Sequence, residues 1–345
     1  MANRVRRIVL AGMAAAGVLM AEGFSWGAQP VTVDLTRRAP PDITTAGDDP
    51  FGELVKYGYA LFTDTPNEIG PTVSDPDKRF AGNNLACQSC HLQAGTQPYA
   101  MPLVGISGQF PKYRPREGAV DTLEDRINGC MERSLNGRAL PHDGHEMRAF
   151  SAFMEWLSTG VSRGAKLIGA GTLRIKEPGR AADPGSGGRI YAQVCAACHG
   201  PDGLGRRAET GAGYLFPPLW GSDSFNDGAG MSRLLTAAAF AMHNMPIGTT
   251  FDAPVLSDEE AYDVAAYFIS RDRPRKPNLD RDFPILLEKP VDTPYGPYAD
   301  GFGQEQHTFG PFAPIRAKVE ELAAATRTPN AGGPDNGTGA AEVMR

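Results

Sequence analysis

The sequence predicts a mainly α-helical protein of two tandem, similarly built domains joined by a linker and closed by a C-terminal strap rich in Pro, Gly and aromatic residues. Three observations predict it. The pattern C-x-x-C-H occurs twice, at Cys87-Gln88-Ser89-Cys90-His91 and at Cys195-Ala196-Ala197-Cys198-His199, 108 positions apart, which is about the span of a small domain. Each copy has an aromatic-bearing helical segment before it (residues 54–62 and 189–192) and an amphipathic one after it. With 345 residues, 41 Gly and 29 Pro, the chain is too long for one ordinary core and too interrupted for a coiled coil.

The amino terminus comes first. Arg4, Arg6 and Arg7 precede an apolar run from 8 to 21 and then the small residues Gly23, Ser25, Gly27 and Ala28, the layout of a secretory signal peptide. Residues 1–28 are therefore expected to be removed on export. The run is shorter than the roughly 20 residues that span a bilayer, and no later segment approaches that length. Lys and Arg number 34 against 40 Asp and Glu, and loss of the leader takes the net charge from -6 to -8. No basic field exists for a nucleic acid or an anionic membrane.

In an exported chain cysteines ordinarily read as disulfides, but the spacing here is the attachment sequence of c-type haem. Two thiols at that separation add to the two haem vinyl groups, and the adjacent His binds iron as proximal ligand. Cys87, Cys90, Cys195 and Cys198 are thus candidate attachment points for two covalently bound haems, with His91 and His199 as proximal ligands. Zinc or a redox C-x-x-C is the rival reading, disfavoured by the His beside the second Cys in both copies. The domains are then cytochrome c-type, 29–159 and 188–273. Asp143 with Glu146, and Ser257 with Glu260, predict capping boxes for the closing helices. The stripes they open (Phe150, Phe153, Trp156 and Leu157; Tyr262, Ala265, Ala266 and Ile269) are read as core packing against the first helix of each domain. Residues 160–187 carry no sustained period and read as a linker laid over the surface.

The far side of each iron needs a ligand. In the second domain Met245, 46 positions after His199, is favoured over Met242 and His243, because Pro246 suits an irregular loop that presents a thioether. His/Met ligation raises the reduction potential. In the first domain the fifth cysteine, Cys130, lies 39 positions after His91. A helix capped at Asp121 or Thr122 places Arg126, Cys130 and Arg133 or Ser134 on one face, and Gly129 points to close approach of something flat, such as a porphyrin. The residues alone leave two readings of Cys130, a thiolate ligand or a buried inert thiol, with Met101, Met131 and Met147 as alternative ligands.

The Cys130 segment, the two haem motifs and the stretch 289–302 together resemble the di-haem thiosulfate dehydrogenases, over about residues 51–315. The resemblance implies periplasmic coupling of two thiosulfates to tetrathionate, with a c-type cytochrome as electron acceptor. It implies His91 and Cys130 on the first iron, His199 and Met245 on the second, and Arg116, Arg126 and Ser134 lining the substrate pocket. Some members carry Lys just before the distal Met and exchange ligands on reduction; Asn244 stands there here, so no such exchange is expected.

The chemistry agrees with the residues. Joining two dianions brings four negative charges together, which fixed cations must offset. Lys112, Arg114, Arg116, Arg126, Arg133 and Arg138 are the candidates, about half of them expected in structural pairs, with Arg116 and Arg126 favoured for their bidentate forks. Rival readings are the reverse reaction as a tetrathionate reductase, the cytochrome subunit of the sulfur-oxidising multienzyme system, and a di-haem electron carrier with no substrate. Residues 274–325 read as a strap across both domains, too broken for helices until a short closing helix from 314 to 325. His142, His145 and His307 read as surface or satisfied histidines, and residues 326–345 as a disordered tail.

Overall fold

A computed structural model describes residues 31–209 and 211–326; the leader and the carboxy-terminal tail lie outside the described residues. The chain between them is mainly helical. Its helices are α1 (Pro50–Thr63), α2 (Thr65–Ile69), α3 (Leu92–Gly95), α4 (Leu123–Arg133), α5 (His145–Leu157), α6 (Pro184–Ile190), α7 (Ala196–His199), α8 (Leu234–Asn244), α9 (Asp258–Ile269), α10 (Gln304–Phe309) and α11 (Ala313–Thr326). Three two-stranded sheets join them: β1 (Thr32–Asp34) parallel to β4 (Lys166–Ile168), and the antiparallel pairs β2 (Lys112–Arg114) with β3 (Ala119–Asp121) and β5 (Arg206–Arg207) with β6 (Tyr214–Phe216). Among the described residues no helix is long and apolar enough to cross a membrane.

Two apolar cores form, one around each C-x-x-C-H. In the first, α1 crosses α5, burying Val55, Leu61, Phe62, Phe150, Phe153 and Leu157, each side chain contributing about 1.5–3 kcal/mol. Phe62 and Phe153 meet at 5.6 Å between ring centroids. The crossing is close because of Gly58, where a β-carbon would lie 2.0 Å from the Ala149 carbonyl oxygen. The second core repeats the device. There α6 crosses α9 at Gly187, whose added β-carbon would meet the Asp263 carbonyl at 1.9 Å, and Tyr191, Tyr267 and Trp220 cluster at 5.1 to 5.7 Å. Phe225 and Ala229, from the second half of the sequence, belong to the first core.

Three local expectations are corrected. Asp143 does not cap α5; Gly144 does, without a side-chain bond, because a turn closed by the Gly144 amide on the Pro141 carbonyl at 2.9 Å moves the start by one residue. Glu146 instead accepts from Tyr57. The strap is not helix-free before its closing helix, since α10 forms between Gly303 and Gly310. Residues 160–187 do lie over the surface, but not without regular structure: β4 pairs with β1, α6 already begins at Pro184, and Ile175 and Ala182 are buried as anchors. The Ser257–Glu260 capping box of α9 and the Thr122 cap of α4, reinforced by Asp125, both form. The strap touches both domains: Lys276 pairs with Glu132 of α4, and Phe312 and Ile315 are buried in the second core.

Candidate functional site

The two motif histidines are held alike. His91 Nδ1 sits 2.6 Å from the Met101 carbonyl and His199 Nδ1 2.7 Å from the Pro217 carbonyl. Each Nδ1 must therefore donate, which leaves Nε2 of each ring with its lone pair free, as a metal-ligating imidazole requires. The segment that leads to the Met101 carbonyl is strained: Gln93 and Ala94, which give α3 a left-handed interior, and Tyr99 and Met101 beyond it all have positive φ. Such backbone, costing about 1–3 kcal/mol per residue, persists where the surroundings over-determine it.

No disulfide joins the five cysteines among the described residues, and their environments divide. Burial pushes Cys87 and Cys90 up to about 12 and Cys195 up to about 11. Cys130 goes the other way. Burial opposes its ionisation, yet the Arg126 guanidinium, and after it the nearby His91 ring, hold it down to about 6. Arg126 Nη1 donates to the Cys130 Sγ at 2.9 Å, from one turn earlier on α4. The structure thus brings His91, Cys130 and Arg126 together, with Cys87 and Cys90 close enough to feel the charge of the Cys130 sulfur. Ser134 caps the same helix at its carboxy end, one turn beyond Cys130. Arg116 comes from the turn between β2 and β3. Its Nε is buried without a hydrogen-bond partner among the described residues, and burial lowers the guanidinium to about 10.

The remaining cations are engaged elsewhere. Arg133 makes a bidentate pair with Asp282 at 2.7 and 2.8 Å, Arg114 pairs with Glu117 and Asp121, and Arg138 donates to the Asp77 and Arg79 carbonyls. Lys112 lies over the Phe110 ring. Of the other sulfurs in the first half, Met131 and Met147 are buried in the core.

These residues fit haem. A cavity of about 850 Å³ is lined by Cys195, Cys198, His199 and Met245, and Cys90 reaches its wall from the first motif. Met245 ends α8 in extended conformation, whereas His243 is buried with Nδ1 on the Ala239 carbonyl at 2.9 Å. At the first motif, a β-carbon added to Gly129 would meet only Arg126 Nη1, at 3.9 Å, leaving open space beside the thiol for a flat group. Asn244 ties the two centres. Its Oδ1 accepts from Gln97 Nε2 at 2.8 Å and its Nδ2 donates to the Tyr99 carbonyl at 3.3 Å. Sequence reasoning missed Gln97, Asp282 and Phe283, for which no local pattern gives a signal.

Comparison with known proteins follows the same division. Residues 77–163 match the family described as SoxA/TsdA, cytochrome c domain, and residues 182–268 match cytochrome C oxidase, cbb3-type, subunit III. The chain is 40% identical over 240 residues to a thiosulfate dehydrogenase of Stutzerimonas stutzeri, covering 70% of this chain and 74% of that one. It is 43% identical over 275 residues to a thiosulfate dehydrogenase of Allochromatium vinosum, covering 78% and 95%. Among solved structures it is similar to the as-isolated form of thiosulfate dehydrogenase (TsdBA) from Marichromatium purpuratum, with a TM-score of 0.64 and 35% identity over 71% of this chain; it spans 51% of that longer chain. Similarity to an L-cysteine S-thiosulfotransferase subunit SoxA of Hydrogenobacter thermophilus reaches 28% over only 36% of this chain. The molecule is two tandem cytochrome c domains, built to bind c-type haem.

Proposed function

Since the chain belongs to the thiosulfate dehydrogenase family, we propose that it is a periplasmic enzyme that joins two thiosulfates into tetrathionate and passes two electrons to a c-type cytochrome. The observation that carries this reading is the Cys130 sulfur held by Arg126 at 2.9 Å and facing His91. A plain electron carrier has no use for a stabilised thiolate in a cationic pocket. The SoxA-like reading is disfavoured by the short extent of that likeness.

Two haems, attached through Cys87 with Cys90 and through Cys195 with Cys198 and held by His91 with Cys130 and His199 with Met245, would supply one-electron acceptance at two centres, matching the two electrons released. The protein's own residues do the rest. Arg126 keeps the Cys130 sulfur anionic and nucleophilic. That sulfur forms a bond to the sulfane sulfur of one thiosulfate, the pair giving up two electrons and leaving a Cys130 S-sulfane sulfonate. A second thiosulfate then attacks the sulfane sulfur, the bond to Cys130 breaks, tetrathionate leaves and the thiolate is restored. Arg116 and Arg126 offset the gathered negative charge, with Ser134 at the helix end as a further polar contact.

The test is stoichiometric. Oxidised holoprotein mixed anaerobically with thiosulfate and ferricytochrome c should consume two thiosulfates for each tetrathionate formed and two cytochromes reduced. Absence of reduction, or sulfite or sulfate as product, would overturn the reading.

A further inference from the structure

The strap reaches the cationic pocket through two adjacent residues. Asp282 is buried, and both its oxygens are occupied: Oδ1 by Arg133 Nη2 at 2.7 Å, Oδ2 by Arg133 Nη1 at 2.8 Å and by the Tyr295 hydroxyl at 2.7 Å. Arg133 lies on α4, three residues beyond Cys130. Phe283, next along, is 4% exposed and has φ of +59°, a left-handed conformation that a bulky side chain rarely adopts. Its amide donates to the Arg116 carbonyl at 2.8 Å, and its ring stands 5.6 Å below the Arg116 guanidinium. Lys289 stands 5.8 Å from the same ring and 4.9 Å from Tyr295, fixing the ring from the strap side.

The charge balance gives this arrangement a purpose. Asp282 is the carboxylate that acts most directly on Arg116, and Arg133 and Tyr295 fill its acceptors. Arg116 is left resting on an aromatic face with its Nε unpartnered, a guanidinium held in place without being neutralised. We propose that Phe283 is a positioning residue that holds Arg116 by backbone bond and ring face in the orientation that receives thiosulfate, so that the C-terminal strap sets substrate affinity at the first-domain site. The inference rests on the reading of Arg116 as a substrate contact. It adds a wall to the pocket from a segment about 150 positions away in sequence, outside both C-x-x-C-H repeats. The strained φ at Phe283 fits such a role, since the strain is retained where the ring must point at Arg116.

A double-mutant cycle on the holoprotein tests it, with Phe283→Leu, Phe283→Tyr, Arg116→Gln and the pair Phe283→Leu/Arg116→Gln compared for thiosulfate oxidation. Phe283→Leu keeps bulk and loses the ring, and should raise KM for thiosulfate about ten-fold with kcat within about three-fold. Phe283→Tyr keeps the ring and should restore the wild-type KM. In the Arg116→Gln background Phe283→Leu should add nothing, because the two residues act as one unit. A KM unchanged in Phe283→Leu, a Phe283→Tyr variant as impaired as Phe283→Leu, or additive effects in the pair would each overturn the inference while leaving Arg116 its role. An Arg116→Gln variant with normal KM would instead overturn the reading on which the inference stands.

Discussion

Arg126 Nη1 donates to the Sγ of Cys130 across 2.9 Å, one helical turn apart on α4. Each raises the other's charge: the sulfur pushes Arg126 up, and the guanidinium is the foremost influence drawing Cys130 down against its burial. Arg126→Gln removes the charge and should lower kcat/KM for thiosulfate by about 10²–10³-fold, the range for loss of one preorganised charge-stabilising donor. Arg126→Lys should fall between, since an ammonium keeps the charge without the planar fork. Steady-state kinetics on both variants check the order; equal rates for wild type and Arg126→Gln would contradict it.

Arg133 and Asp282 form a nearly dry bidentate pair, their side chains 10% and 9% exposed. Breaking such a pair from one side leaves an uncompensated buried charge and costs about 3–5 kcal/mol. Asp282→Ala should therefore lower the unfolding midpoint of the holoprotein sharply in denaturant. The double variant Arg133→Met/Asp282→Leu should recover most of the loss, and a double variant no more stable than the single would contradict the account.

Met245 ends α8 and lines the cavity with His199. Its replacement by Ala should lower the reduction potential of one haem and leave the other unchanged, because a thioether ligand favours the reduced state. Spectropotentiometric titration reads both centres at once; two unchanged potentials would assign the ligand elsewhere.

Lys289 is 7% exposed, with Nζ donating to the Pro297 carbonyl at 3.0 Å, and burial pushes its ammonium down to about 8. The unfolded value is about 10.4, so the folded state releases this proton first as pH rises. The penalty on the charged form is complete below about pH 8 and fades toward pH 10, and the stability of the wild type rises across that window. The melting temperature of Lys289→Met minus that of the wild type should therefore fall from pH 8 to pH 10. A gap independent of pH would contradict the assignment.

What could be read in advance was local. The two C-x-x-C-H motifs, the Ser257–Glu260 box and the aromatic stripes repeat at fixed short spacing, and the helices they mark form as read. Where a turn competed, the local rule failed: Asp143 lost α5 to Gly144 because the Pro141 carbonyl closes a turn there. The grouping of Arg126 with Cys130 follows from helical period alone. Which of the six cations near Cys130 stay unpaired does not, because the carboxylate that takes Arg133 is 149 positions away. The Asn244–Gln97 bridge, 147 positions long, is hidden for the same reason: tertiary packing chose the partners, and no periodicity marks them.

The central claim is that the sulfur of Cys130 takes part in thiosulfate chemistry. The most direct measurement is rapid anaerobic mixing of thiosulfate with oxidised holoprotein, wild type beside Cys130→Met, followed in the haem absorption bands. Rapid reduction of the wild type, with reduction of Cys130→Met slowed at least about 10²-fold, is the predicted result for loss of a covalent nucleophile. Near-normal reduction of Cys130→Met would contradict it.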